Sequence, residues 1–219
     1  YEIIATTTDN ISAAEGADMV IVAVKPWIAE GVVKQILGAF NSPQKMLVSV
    51  VADTSFATLR DWVSQSECQP AIFRVIPNTA ISVGESMTFV SADGASQEQT
   101  DAVMGIFNKM GEAMLVDEKM LEVGMILASC GIAFALRYIR AASEGGVELG
   151  CPAAQAARIV AATMKGAAEL VLQNNSHPEQ EIDKVTTAGG ITIKGLNEME
   201  HAGFSSSVIR GLKASAGKK

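Results

Sequence analysis

The chain has 219 residues, of which 48% are hydrophobic and 19% are charged, and its formal net charge is −7. These values are typical of a globular protein with one large or two modest domains. The negative charge argues against general binding to nucleic acid or to anionic membranes. No apolar run reaches membrane-spanning length and no signal peptide is visible, so we expect neither a membrane segment nor a secretory leader.

The three cysteines are odd in number and lack the spacing of metal ligands. This usage suits a reducing cytoplasm, and it predicts no metal site.

The first half of the sequence predicts a mostly parallel sheet covered by helices. Residues 19–24 and 46–51 are continuous apolar runs, which are typical of strands buried on both faces. Further strands are expected at 71–76, 87–90 and 113–116, with helical patterns between most of them. The third and fourth strands lie too close in sequence for a helical crossover, so this pair is expected to be antiparallel or joined by a loop. The alternation indicates a doubly wound α/β layer.

Ligands of such sheets bind beyond the carboxyl ends of the strands. The residues there are Ala23, Val24, Lys25 and Pro26, then Val50, Val51 and Ala52, then Pro77, Asn78 and Thr79. Small or backbone-exposing groups at the first two ends fit a flat cofactor, although Lys25 and Pro26 would equally suit a solvated strand end. A dinucleotide fold needs an earlier strand, a Gly-rich turn and a helix. No such turn precedes Met19, so either that segment is missing from this chain or the sheet holds no dinucleotide.

The pattern of the second half predicts helices from Glu118 onward, which places the domain boundary near Asp117. The two predicted domains are therefore residues 1–117 and 118–219. Alanine and glycine are dense on these helices. Because small residues let helices approach closely, the pattern suits a packed helical bundle or a dimer of bundles.

A glycine-containing stretch near the end of the chain is the strongest candidate binding motif. Gly189 and Gly190 precede a helix-like pattern that contains Thr192 and Leu196. A glycine turn that opens a helix leaves several N–H groups without intrahelical partners, which makes a seat for a small anion such as a carboxylate. Thr192 would place a hydroxyl at the rim of that seat. The alternative is a tight turn between helices with a threonine N-cap.

Taken in order, these motifs resemble those of pyrroline-5-carboxylate reductase, the family that catalyses the last step of proline biosynthesis. The most specific part is Thr187-Ala188-Gly189-Gly190-Ile191-Thr192 with Gly195-Leu196, followed by Glu200-His201-Ala202-Gly203-Phe204. The Ala23-Val24-Lys25-Pro26 segment stands at a matching distance. The resemblance covers nearly the whole chain, as a family member that lacks its first β-α-β segment.

The resemblance implies a Rossmann-type nicotinamide-cofactor domain at 1–117, here incomplete, and an all-α substrate-binding and dimerisation domain at 118–219. It implies a cytoplasmic NADP-dependent enzyme, with NAD as the alternative cofactor, that reduces 1-pyrroline-5-carboxylate to L-proline. Its active site would lie between the subunits of a homodimer, and the dimers would assemble further, into a decamer. Neither nucleic acid nor membrane is expected as a partner.

The resemblance also assigns roles to individual residues. The cofactor would contact Asn10, Ala23, Val24, Lys25, Pro26, Val50, Val51, Ala52 and Lys184. The substrate carboxylate would bind the N–H groups of Gly190, Ile191 and Thr192. Thr192 would be the catalytic residue, through a hydrogen bond to the ring nitrogen, and Glu118 would lie at the edge of the substrate pocket.

The chain departs from the family pattern at several positions. The family usually has glycine at Asp53, proline at Ala188 and asparagine at Lys184. It has Ser-Gly-Ser-Gly-Pro where this chain has Ala128-Ser129-Cys130-Gly131-Ile132. These departures keep a second hypothesis open, namely a divergent, non-catalytic or altered-substrate member that binds a small carboxylate. A hydroxyacid dehydrogenase is disfavoured, because only Lys119 could supply the lysine that such enzymes carry on their first long helix.

Overall fold

The computed structural model describes residues 5–217. Their contacts form two compact units, Tyr1–Ser129 and Cys130–Lys219. The first unit therefore includes the helix that follows Asp117, because that helix packs on the strands of the first unit. The family-domain boundary near Asp117 stays a prediction.

The first unit contains a five-stranded sheet in the order β1 to β5. The strands are β1 (Met19–Val22), β2 (Met46–Ser49), β3 (Ala71–Ile76), β4 (Ser86–Asp93) and β5 (Gly111–Leu115). Strands β1, β2 and β3 run parallel, whereas β3 and β4 pair antiparallel and β4 and β5 pair parallel. The predicted α/β layer is thus confirmed, and the close third and fourth strands form the antiparallel pair.

Helices cover both faces of this sheet. They are α1 (Asn10–Ala14), α2 (Pro26–Gln35), α3 (Phe56–Trp62), α4 (Gln97–Phe107) and α5 (Glu118–Gly124). Leu47 and Ile72 belong to one buried cluster, and their strand neighbours Val48 and Phe73 belong to the other. Successive side chains of a strand point to opposite faces. Because both faces are covered, β2 and β3 are apolar at nearly every position.

The ends of two strands and the start of one helix are set as follows. The first two strands end at Val22 and Ser49, two residues before the apolar runs end. Helix α3 is capped by Ser55, whose hydroxyl accepts from the Thr58 N–H, whereas Thr54 is buried and donates to the Ala52 carbonyl. Thr54 therefore does not cap this helix.

The second unit consists of helices. They are α6 (Gly131–Glu148), α7 (Ala153–Asn174), α8 (Pro178–Val185), α9 (Ile191–His201) and α10 (Phe204–Ser215). Helix α6 packs along α7. A Cβ on Gly146 would stand 3.1 Å from the Ala156 Cβ, so small residues do permit this close approach.

The second unit leaves much of its apolar surface exposed. Its side chains line an open groove of about 710 Å³, which we call the helical groove, formed by residues that include Phe134, Tyr138, Met199, Phe204 and Val208. The rings of Tyr138 and Phe204 meet edge to face there, with centroids 6.2 Å apart.

One helical run, Glu118–Glu148, has 31 residues and an apolar window of mean hydropathy 1.7. By length and composition alone it could cross a membrane, so the expectation that no apolar run reaches that length is wrong. Core helices of other proteins pass the same test. The expectation that no membrane is a partner stays a prediction.

Candidate active site

The carboxyl ends of β1 and β2 form an edge with small and backbone groups exposed. Ala23, Lys25, Pro26 and Ala52 are exposed there, Val24 and Val50 are half-buried, and Val51 is buried. Pro26 is the first residue of α2, where its missing N–H costs nothing. The Lys25 ammonium makes no capping bond and faces solvent. This edge can therefore accept a flat, anionic molecule, as the sequence predicts.

An aromatic side chain follows this edge directly. Trp27, the second residue of α2, is 79% exposed. Trp27 thus follows Lys25 and Pro26 in sequence, and its side chain is largely exposed.

Residues 50–55, which we call the β2–α3 loop, follow the second strand. Asp53 has φ +58°, in the left-handed region that favours glycine. Aspartate is one of the few other residues that adopt it routinely. This geometry explains why the family has glycine at the position and how an aspartate replaces it without rebuilding the loop.

Asn10 lines a cavity of about 240 Å³ together with Ala23 and Val24 of this edge. Its amide Nδ2 donates to Oε1 of Gln35, 2.9 Å away, at the last residue of α2. This bond uses one of the two N–H donors of the amide, and the cofactor role of Asn10 stays a prediction.

Glu118 is already engaged by two groups of the first unit. Its Oε1 accepts from Arg74 Nη1 at 2.7 Å and from the Phe56 N–H at 2.8 Å. The side chain remains 40% exposed. The predicted place of Glu118 at the edge of a substrate pocket is not tested by these contacts, which show instead that one carboxylate oxygen binds within the chain.

The turn after β3 is built from internal hydrogen bonds. Asn78 is buried, its Oδ1 accepts from the Ala80 N–H, and its own N–H donates to the Ser86 hydroxyl. The Ser129 hydroxyl donates to the Pro77 carbonyl. These contacts make Asn78 a structural residue of the edge.

The glycine stretch of the second unit forms a type II turn over residues 187–190. The Gly190 N–H donates to the Thr187 carbonyl at 2.9 Å, and Gly189 has φ +72° at the third position. Ala188 occupies the second position, where proline is favoured, which accounts for the proline of the family pattern. The turn then enters α9 with Gly190 as the N-cap.

This turn changes the predicted set of anion donors. The Gly190 N–H is already bonded within its own turn. Gly190 also has no side chain to cap the helix, and within residues 5–217 the N–H groups of Ile191, Thr192 and Ile193 have no hydrogen-bond acceptor. The seat therefore consists of these three N–H groups at the positive end of an eleven-residue helix. Thr192 is exposed beside them.

Lys184 binds a neighbouring acid. Its Nζ lies 2.7 Å from Glu181 Oε1, which also accepts from the Ser176 hydroxyl at 2.6 Å. Hydrogen bonds from Lys184, then Ser176, hold the pKa of Glu181 below its ordinary value. The ammonium has three N–H donors, and the cofactor role of Lys184 stays a prediction.

Sequence reasoning missed Arg74 and the π-helical turn Met125–Cys130. Arg74 stands within an apolar strand, and its charge was the available signal. The π turn coincides with the departure from Ser-Gly-Ser-Gly-Pro, and π turns often mark functional segments. Among residues 5–217 no group of three His, Cys, Asp or Glu side chains is arranged to hold a metal ion.

Two family models match the chain. Residues 118–219 match pyrroline-5-carboxylate reductase dimerisation, and residues 1–53 match NADP oxidoreductase, coenzyme F420-dependent.

Whole-chain comparisons agree with these matches. Pyrroline-5-carboxylate reductase 2 of Dictyostelium discoideum is 38% identical over 97% of this chain and 75% of its own length. Reductase 1 of the same organism is 41% identical over 97% of this chain, which spans 40% of that relative's length. The crystal structure of a Plasmodium falciparum pyrroline carboxylate reductase with NADP bound superposes with a TM-score of 0.85 at 27% identity, covering 96% of this chain and 79% of that one.

Proposed function

This chain belongs to the pyrroline-5-carboxylate reductase family, and on that premise we propose that it reduces 1-pyrroline-5-carboxylate to L-proline with NADPH, the last step of proline biosynthesis. The observation that carries the proposal is the start of α9. Three N–H groups without acceptors stand there beside an exposed threonine hydroxyl. An imino acid offers one carboxylate and one ring nitrogen, which match these two features.

The substrate carboxylate would bind the N–H groups of Ile191, Thr192 and Ile193. Backbone donors at a helix start complement a negative charge without any lysine or arginine. The type II turn supports this arrangement, because the Gly190 N–H binds the Thr187 carbonyl, whereas the next three N–H groups have no acceptor among the described residues.

Thr192 would act at the ring nitrogen. Reduction of the C=N bond adds a hydride to carbon and a proton to nitrogen, and bound NADPH would supply the hydride. A neutral hydroxyl can orient the imine and relay the proton to its nitrogen. The protein otherwise needs to hold the reactants and exclude water.

The edge beyond β1 and β2 fits a nicotinamide cofactor. Ala23 and Ala52 expose backbone and leave room for flat rings, and Lys25 supplies a positive charge for phosphate. We propose that Ala23, Val24, Lys25, Pro26, Val50, Val51 and Ala52 contact it. Asn10 and Lys184 would join them through N–H donors other than those bonded to Gln35 and Glu181. NADP is favoured over NAD, since the related Plasmodium structure has NADP bound.

We further propose a homodimer through residues 118–219 that assembles into a decamer and works in the cytoplasm. The exposed apolar side chains of the second unit support the dimer, since such surface is normally covered by a partner. The net charge of −7 supports the absence of nucleic-acid and membrane partners.

A second function, binding of a small carboxylate without reduction, is favoured by Asp53. Its carboxylate is exposed on the β2–α3 loop, where it would repel a phosphate-bearing cofactor.

An assay of NADPH consumption separates the two functions. The purified full-length protein is mixed with NADPH, with and without 1-pyrroline-5-carboxylate, and the loss of dihydronicotinamide absorbance is followed. We expect imine-dependent oxidation and formation of proline. Binding of the imino acid without any oxidation would refute the reductase and support the binding function.

A further inference from the structure

We propose that Arg74 is a positioning residue, which holds Glu118 so that its carboxylate fixes the end of the β2–α3 loop for cofactor binding. This inference rests on the proposed function, because residues 50–52 of that loop belong to the proposed cofactor edge.

Two groups of the first unit converge on one oxygen. Glu118 Oε1 lies 2.7 Å from Arg74 Nη1 and 2.8 Å from the Phe56 nitrogen. The guanidinium carbon of Arg74 also lies 5.9 Å from the centroid of the Phe56 ring. The Arg74 side chain is only 14% exposed. It is thus fixed by an ion pair on one side and a cation–π contact on the other.

The contact with Phe56 places this cluster at the end of the loop. Phe56 is the first residue of α3, and its N–H is one of the helix donors without an intrahelical partner. Ser55 caps the helix through the Thr58 N–H, so it leaves the Phe56 N–H to Glu118. The carboxylate therefore determines where the loop ends and the helix begins.

Arg74 supplies the rigidity that Glu118 lacks. It stands within β3, with Ser49 of β2 and Ser91 of β4 as its register partners. Glu118 lies on the first turn of α5 with a 40% exposed side chain, and among the described residues its second oxygen has no hydrogen-bond donor. Without the guanidinium, this carboxylate would be free to rotate toward water and release Phe56.

The chain contains a matched control at the opposite edge of the same sheet. Arg60 Nε lies 2.6 Å from Asp93 Oδ2, and its other nitrogens donate to the carbonyls of Pro70 and Asp93. Its side chain is 29% exposed. Arg60 lies on α3, four residues after Phe56, but Pro70 precedes β3 and Asp93 ends β4, so this arginine makes a comparable ion pair at the strand ends opposite residues 50–52.

The test compares four variants of the full-length protein, Arg74→Met, Arg74→Lys, Glu118→Gln and Arg60→Met. For each we measure the KM for NADPH, kcat, the urea midpoint, and amide hydrogen exchange of a peptide covering residues 50–56. We expect Arg74→Met to raise the KM for NADPH roughly 10- to 100-fold and to speed exchange in that peptide. In Arg74→Lys, the KM for NADPH and the exchange rate of the peptide should lie between those of the wild type and Arg74→Met. Lysine keeps the charge but not the planar stacking group.

Arg60→Met should lower the urea midpoint while leaving the KM for NADPH and the loop exchange as in the wild type. Should Arg74→Met fail to fold, the same measurements on Glu118→Gln test the proposal. Glutamine keeps an oxygen acceptor for the Phe56 N–H but loses the charge that holds Arg74. The proposal is overturned if the Arg74 variants keep wild-type KM and exchange, or if Arg60→Met raises the KM equally. A wild type that consumes no NADPH with the imine refutes the proposed function instead, and exchange then still reports whether Arg74 fixes the loop.

Discussion

At the scale of single residues, the proposed chemistry depends on one hydroxyl and its backbone surroundings. Thr192 is the second residue of α9 and is exposed, so its side chain is available to a ligand. Other polar side chains of interest are engaged already, as Glu118 is with Arg74 and Lys184 with Glu181. Thr192 is therefore the candidate whose removal should affect the reaction most directly.

We expect Thr192→Ala to lower kcat/KM by roughly 10- to 100-fold, or more, because one transition-state hydrogen bond of about 1–3 kcal/mol is lost. The fold should persist, since the side chain is exposed. Steady-state kinetics with circular dichroism check both points. Thr192→Ser is the control and should retain most activity through its hydroxyl. Wild-type kinetics in the alanine variant would contradict the assignment.

At the scale of elements, the turn before α9 and the polar cluster on α8 show how local chemistry shapes the proposed site. Gly189 adopts a left-handed conformation that closes the turn, and Gly190 then begins α9. Glu181 ties α8 to the preceding loop through Ser176 and to its own last turn through Lys184. Both features lie next to the segment whose N–H groups form the anion seat.

Gly189→Ala should destabilise the second unit by about 1–2 kcal/mol, because a Cβ disfavours its φ of +72°. Gly31→Ala is the opposite case, since Gly31 is an exposed residue within α2 and an added Cβ would meet no atom within 4 Å. That variant should gain about 0.5–1 kcal/mol. Urea unfolding of both proteins measures the difference, and equal effects of the two substitutions would contradict the conformational argument.

The Glu181 cluster predicts a pH dependence. Its folded pKa is lowered, so the unfolded chain binds more protons in acid, and the stabilisation is present above the ordinary glutamate pKa. It is lost as the pH falls through the lowered folded value. Amide exchange of α8 should therefore accelerate in acid more in the wild type than in Glu181→Gln. An identical acid response of the two proteins would contradict the stabilisation of α8 by the Glu181 cluster.

Much of this architecture follows from the apolar pattern, because the runs 46–51 and 71–76 contain strands that are apolar on both faces. The site is harder to predict. The role of Arg74 depends on Phe56 and Glu118, which are brought together only by tertiary packing. The bond that occupies the Gly190 N–H likewise depends on the turn type. Local sequence indicates that donors exist, whereas their partners are set by the completed fold.

At the scale of the whole molecule, the second unit is built for association. Its described helices bury few side chains, Ser143 and Ala156 among them, and expose large apolar ones such as Leu172 and Ile209. Its match to a dimerisation family indicates that this surface is used for association with another subunit. In the proposed dimer, a second subunit would cover the helical run with membrane-like hydropathy.

Val208→Lys should weaken dimerisation by about two orders of magnitude in Kd, because it places a charge in the apolar helical groove. Light scattering coupled to size-exclusion chromatography gives the mass at several concentrations. Val83→Lys is the control, since Val83 is a 73% exposed residue of the first unit. A variant that remains dimeric at low concentration would place the interface elsewhere.

The exposed ring of Trp27 gives this protein an optical reporter of its own. The chain has two tryptophans, and the other, Trp62, packs against the core of the first unit. Indole emission overlaps the absorption of a reduced nicotinamide, so occupancy of the neighbouring edge should appear as quenching with energy transfer. Titration with NADPH can thus be followed without any dye, and a Trp27→Phe protein would show how much of the signal originates there.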